Sequence, residues 1–137
     1  MLVAPFDLQV VKPIERVVIA WNGAREGQRA VQDALPLIAG ARSVTVLNVG
    51  SDIEQGAGEP AHRLCERLAA WGITAKSAVI DGDRDEAGEL LLDQCLRSEA
   101  DLLVLGAYGH SRFREFLLGG VTRFILQQHS LPVLISH

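Results

Sequence analysis

The segment from Gly106 to Thr122 reads Gly-Ala-Tyr-Gly-His-Ser-Arg-Phe-Arg-Glu-Phe-Leu-Leu-Gly-Gly-Val-Thr, and it holds the residues best suited to a negatively charged ligand. Gly106 and Gly109 would let the main chain approach a ligand with no Cβ between them, and would tolerate positive φ. Gly119 and Gly120 stand just before a helical pattern, so unpaired amide N–H groups at that helix start would face outward and attract an anion. Thr122 adds a hydroxyl in the first turn, able to donate to a phosphate oxygen. Arg112 and Arg114 carry planar guanidinium groups that suit β- or γ-phosphate, or else form a solvated loop face. One glycine pair alone would be read as a turn. Two pairs flanking one loop favour an anion cradle.

Other candidates for chemistry are weaker. His110 has no Ser or Cys nucleophile paired with it by any motif, so it is read as a loop histidine beside the ligand rather than a general base. Asp81, Asp83 and Asp85 alternate like calcium ligands, but the sixth and twelfth positions from Asp81 are Glu86 and Leu92, where an EF-hand requires Gly and Glu. Capping of the next helix by Asp83 or Asp85 is the plainer account. His62 and Cys65 form half a zinc spacing with no second half. Cys65 and Cys95 belong to no CxxC pair and are read as buried thiols.

The elements that position these residues alternate regularly. Apolar runs at 17–20, 44–49, 74–80, 102–105 and 133–135 are bounded by Gly, Pro or Asp, as strands buried on both faces are. Between them lie helical faces: Ala30, Val31, Ala34, Leu35 and Ile38, with Pro36 expected to kink the helix; then Ala61, Leu64, Cys65 and Leu68; then Ala87, Leu90, Leu91 and Cys95; then Val121, Phe124 and Ile125. Residues 1–14, with Pro5 and Pro13, have no sustained period and read as a tail ahead of one domain over 15–137. The order β-α-β-α-β-α-β-α-β predicts an open, doubly wound parallel sheet with right-handed crossovers. Ligands in such a sheet bind beyond the carboxyl ends of the strands where strand order reverses. That directs attention to the loops after the first and fourth runs, Ala20-Trp21-Asn22-Gly23-Ala24 and the glycine-rich segment.

The spacing Gly106-x2-Gly109-x9-Gly119, followed by Gly120-Val121-Thr122, resembles the nucleotide-binding signature of universal stress proteins. The likeness extends over 15–137, including Val-Val-Ile-Ala-Trp-Asn-Gly, Leu47-Asn48-Val49 and Leu131-Pro132-Val133-Leu134-Ile135. The Trp-Asn-Gly turn is similar to the second half of tandem members. The resemblance implies five strands in the order 3-2-1-4-5, the adenine nucleotide alpha hydrolase-like arrangement. In one branch it also implies ATP, ADP or AMP bound without an essential catalytic apparatus, with magnesium as an open question. It places Ala20, Trp21 and Asn22 at the adenine and ribose, with Val49 against the base. Amides of Gly106, Gly109, Gly119 and Gly120, with Val121 and Thr122, fall at the phosphates, and His110 and Arg112 lie beside them. Two departures stand out. Asn22 replaces the usual Asp, and Gly120 replaces the usual Ser, removing a hydroxyl worth about 0.5–1.5 kcal/mol. Trp21 is larger than the usual residue and would either stack on a base or plug the pocket.

The resemblance implies a nucleotide-responsive regulatory module in stress response, with slow ATP hydrolysis at most. The alternative is a dimerisation or regulatory module of the same fold that binds no nucleotide. A homodimer is expected through the edge of the fifth strand, Pro132 to Ser136. A net charge of −4 argues against a nucleic-acid partner. No apolar run reaches the ~18–20 residues that span a bilayer, and a cytoplasmic location is expected. A P-loop would need GxxxxGK[ST], yet the two lysines are Lys12 and Lys76. A dinucleotide fold would need GxGxxG after the first strand, where Gly23 stands alone. A receiver domain would need paired acids where Trp21-Asn22 stands.

Overall fold

The computed structural model describes residues 1–4, 12–49, 59–107, 120–128 and 130–136. Strands β1 (Leu2–Val3), β2 (Arg16–Ala20), β3 (Ser43–Val49), β4 (Ala75–Ile80), β5 (Leu102–Gly106) and β6 (Val133–Ser136) alternate, from β2 onward, with helices α1 (Arg25–Ile38), α2 (Ala61–Ala70), α3 (Ala87–Arg97) and α4 (Gly120–Gln128). The sheet order is β1-β6-β5-β2-β3-β4. Every pairing from β2 to β6 is parallel.

The five expected strands thus occur in the expected order, and a sixth is added. β1 comes from the segment read as a tail and pairs antiparallel with β6, Leu2 opposite Leu134 and Val3 opposite Val133. The Ile135 N–H donates to the Met1 carbonyl at 2.7 Å. Two residues carry no period, so only their distant partner makes them a strand. The β6 edge expected to receive a second copy is therefore occupied by the chain itself.

Strands buried on both faces supply two cores. Val17, Ile19, Val44, Val46, Leu102 and Val104 face α1 and α2. Val18, Leu47, Leu103, Leu105, Val133 and Ile135 face α3 and α4. This period-2 division is what splits each apolar run between the layers. Asp101 ties the start of β5 to the start of β2: its Oδ2 accepts the N–H groups of Glu15 and Arg16 at 3.0 and 2.9 Å. α1 runs through Pro36 as one element, because the proline falls in the last turn. α2 and α3 end in the same motif. In α2 the N–H of Ile73 donates to Leu68 and that of Gly72 to Ala69; in α3 the N–H of Ala100 donates to Cys95 and that of Glu99 to Leu96. The left-handed residue is Gly72 at φ 79° in the first and Glu99 at φ 52° in the second.

Candidate nucleotide site

β2 has β3 on one side and β5 on the other, so strand order reverses at its flank. Beyond the carboxyl ends of β2, β3 and β5 lies a cavity of about 530 Å³. Its size falls in the usual range for small-molecule sites.

Trp21 continues the β2 ladder, its N–H donating to Leu47 O at 2.8 Å. Its indole is 3% exposed and packs in the α1/α2 core. A Cβ on Gly27 of α1 would lie 3.4 Å from the ring, which is how closely helix and indole fit. The indole Nε1–H donates to the Glu59 carbonyl at 2.7 Å. The ring is therefore fixed as a wall, and the cavity beside it is open. Glu59 fastens this loop twice more: its N–H donates to Gly23 O at 3.2 Å, and its carboxylate meets Arg67 Nη2 at 2.8 Å.

Asn22 lines the cavity, but its Oδ1 already accepts the Ala24 N–H at 3.0 Å, an Asx turn that leads into α1. That oxygen shapes the turn with one of its two lone pairs. Asn48, 4% exposed, donates Nδ2–H to the Trp21 carbonyl at 2.8 Å, and its Oδ1 is buried with no partner among the described residues.

Gly106 also lines the cavity, for a reason the sequence did not reveal. A Cβ there would strike the backbone of Glu26 and Gly27, and would stand 2.9 Å from Glu26 Cβ. Glycine is required because the first turn of α1 rests on it. Among described non-helical glycines, positive φ belongs to Gly23 and Gly72. The next amide, Ala107 N–H, is spent on Ser136 O at 2.7 Å. Gly120 contrasts with Gly106, since a Cβ on it would meet no described residue within 4 Å. It opens α4 at the cavity beside Val121.

Seven of the expected residues thus converge on one cavity: Ala20, Trp21, Asn22, Val49, Gly106, Gly120 and Val121. Thr122 does not join them. It lies with Ile125 on the buried face of α4, fully enclosed, its hydroxyl without a hydrogen-bond partner among the described residues. The expectations for Gly109, His110, Arg112 and Gly119 lie outside the described residues.

Sequence reasoning missed the opposite wall. Asp85, Gly88 and Glu89, from the 3-10 turn and first turn of α3, border the cavity together with Leu91 and with Phe124 of α4. Gly88 is the contact point of the two helices, where a Cβ would lie 2.9 Å from Phe124 Cδ1. The sequence offers Asp85 as a calcium ligand or a helix cap. Among the described residues no group of three or more His, Cys, Asp or Glu is placed to hold a metal ion. The helix is entered through the 3-10 turn, with Glu86 at its N-cap and no side-chain cap bond there. Cys95, 1% exposed, has its thiol pushed up to about 12 by burial, and burial also raises Cys65. Both are inert thiols by that criterion. Among the described residues, no helix is long and apolar enough to cross a membrane.

Comparison with known proteins agrees with this fold. The universal stress protein Slr1230 of Synechocystis is 28% identical over 97% of this chain, which spans 45% of that protein's length. The chain therefore covers about half of the curated relative it matches. A universal stress protein crystallised with cAMP superposes at a TM-score of 0.70, with 22% identity over 92% of this chain and 99% of the other. An Arabidopsis thaliana family protein with AMP bound superposes at 0.62, with 16% identity over 89% of this chain and 90% of the other. These likenesses share the fold, and the family model itself matches residues 13–137. With nine-tenths of its length so matched, the chain belongs to the universal stress protein family.

Proposed function

We propose that this domain binds an adenine nucleotide in the cavity at the carboxyl ends of β2, β3 and β5, and acts in stress response as a nucleotide-responsive regulatory module. The observation that carries the reading is the convergence of seven expected nucleotide-contact residues on one open cavity at the reversal of strand order. The walls fit the ligand. Leu47, Val49 and Leu105 offer apolar surface to a purine, and the start of α4 at Gly120 has room for an anion. Two relatives of the same fold carry cAMP and AMP in their crystals, which supports the adenine assignment. We assign no catalytic residue and expect ATP hydrolysis to be slow at most. Magnesium would accompany the phosphates, with no dedicated cage among the described residues.

The rival reading, a dimerisation module without nucleotide, relies on the β6 edge. A homodimer built on that edge needs β1 to leave it.

The test is to denature purified protein and identify any released nucleotide by chromatography, then to measure thermal shifts with ATP, ADP and AMP. Ligand at 100 times its Kd should stabilise the fold by about 2.7 kcal/mol. Gly120→Val, whose Cβ meets no described residue within 4 Å, should lose the shift while keeping its fold, and Gly109→Val and Gly119→Val should do likewise. Wild-type shifts in all three would refute the assignment.

A further inference from the structure

The indole that walls the cavity is held in place from outside it. Trp21 and Asn22 border the cavity, whereas Glu59 and Arg67 do not. Glu59 grips the loop with both of its main-chain groups: its carbonyl accepts the Trp21 Nε1–H at 2.7 Å, and its N–H donates to Gly23 O at 3.2 Å. The residues on either side of Asn22 are thus tied to one position of the chain. That position is fixed in turn by α2, where Arg67 Nη2 donates to Glu59 Oε2 at 2.8 Å. Arg67 stands on a firm base. Its Nε is enclosed by protein, and its helix neighbours Leu64 and Leu68 are fully buried in the same core as Trp21. The ion pair is partly sheltered, with 22% of the Glu59 side chain and 40% of the Arg67 side chain exposed. A binding wall has to be held to within about 0.5 Å by the groups behind it. A rotation at Glu59 would move both of its bonds to the loop together.

Resting on the adenine reading above, we infer that Glu59 and Arg67 are positioning residues for the nucleotide: their ion pair sets the main chain at residue 59, and that main chain sets the Trp21 indole and the Asn22 turn. Affinity for the ligand therefore depends on an ion pair that does not border the cavity. The dependence is modest, because a partly exposed pair contributes little.

Glu59→Gln and Arg67→Met change the side chains and leave every main-chain group of the loop in place, so they test the pair alone. Both are built on Trp71→Phe, which makes Trp21 the only tryptophan. Without ligand, acrylamide quenching of Trp21 emission should rise in each variant, and the emission maximum should move to longer wavelength. In titration calorimetry with ATP, each variant should bind about threefold more weakly than the Trp71→Phe parent, the range of a partly sheltered ion pair. The double variant should bind no more weakly than the weaker single, since either change breaks the same pair. Arg97→Met is the control: it breaks the Arg97–Asp93 pair at 2.7 Å in the last turns of α3 and should move neither readout. Glu59→Gln, which keeps the shape of the side chain, serves alone if Arg67→Met folds poorly. The inference fails if the variants bind ATP as tightly as the parent, if the double variant loses the product of the two single losses, or if Arg97→Met weakens binding as much. In each of those cases the parent still binds ATP and the adenine reading stands. If the parent binds none of ATP, ADP and AMP, that reading fails and the inference falls with it.

Discussion

Replacing Gly106 by alanine adds one methyl group where the first turn of α1 already stands. The new Cβ would meet the backbone of Glu26 and Gly27 and lie 2.9 Å from Glu26 Cβ. Main-chain atoms cannot rotate away as a side-chain tip can, so β5 and α1 must separate. Overpacking of a close-packed site costs about 1–3 kcal/mol, and a backbone collision belongs at the upper end. For a chain of this length that corresponds to a Tm lowered by about 10 °C. Gly120→Ala is the matched control. It also lies on the cavity, but its Cβ meets no described residue within 4 Å, so its stability should stay within about 0.5 kcal/mol of wild type. Urea denaturation of both variants without ligand, with equal m-values, reads the difference directly. If Gly106→Ala is as stable as Gly120→Ala, the close approach of α1 to β5 is wrong, and the glycine at 106 would have to be explained by ligand contact alone.

Three further outcomes are expected. Glu99→Gly should stabilise the fold by about 0.5–1 kcal/mol, measured by urea titration, because a left-handed φ of 52° suits glycine and strains glutamate. Cys95 keeps its proton in the fold up to about pH 12 but loses it near 9 when unfolded, so stability is complete below about 9 and falls as pH rises toward 12. The slope approaches about 1.4 kcal/mol per pH unit, and Cys95→Ala should remove it in denaturation series at pH 8 to 10.5. Deleting residues 1–4 bares the β6 edge, and sedimentation velocity should then show stronger self-association than the full chain; unchanged sedimentation would refute edge protection by β1.

The parallel sheet was legible because each interior strand is apolar on both faces, and Val17 to Ala20 or Leu102 to Leu105 can be little else. The alternation of strand and helix gave the parallel, doubly wound arrangement, and the strand order came from the resemblance to universal stress proteins. The half of the site on β2, β3 and the start of α4 was legible for a related reason, since glycines and turn residues at strand ends mark where backbone meets ligand. What the sequence hid depends on distant partners. Gly106 lines the cavity as expected and is also a seat for α1, which stayed hidden because no local pattern reports which helix lies on a given glycine. Thr122 looked available in a first turn, yet the phase of α4 turns it inward with Ile125. Asp85 reads as a candidate ligand or cap and Glu89 carries no signal at all, because their relation to the cavity exists only once α3 and α4 meet at Gly88 and Phe124.

The two indoles of this domain occupy opposite environments. Trp71 closes α2 at 52% exposure, whereas Trp21 is sealed at 3% with its nitrogen proton held by a main-chain oxygen. Emission from the outer ring is open to iodide or acrylamide, and the inner ring is shielded. Quenching the first leaves the light of the second, which stands on the cavity wall. The fold thus carries an intrinsic optical gauge of its own pocket, able to register an arriving molecule without any attached dye.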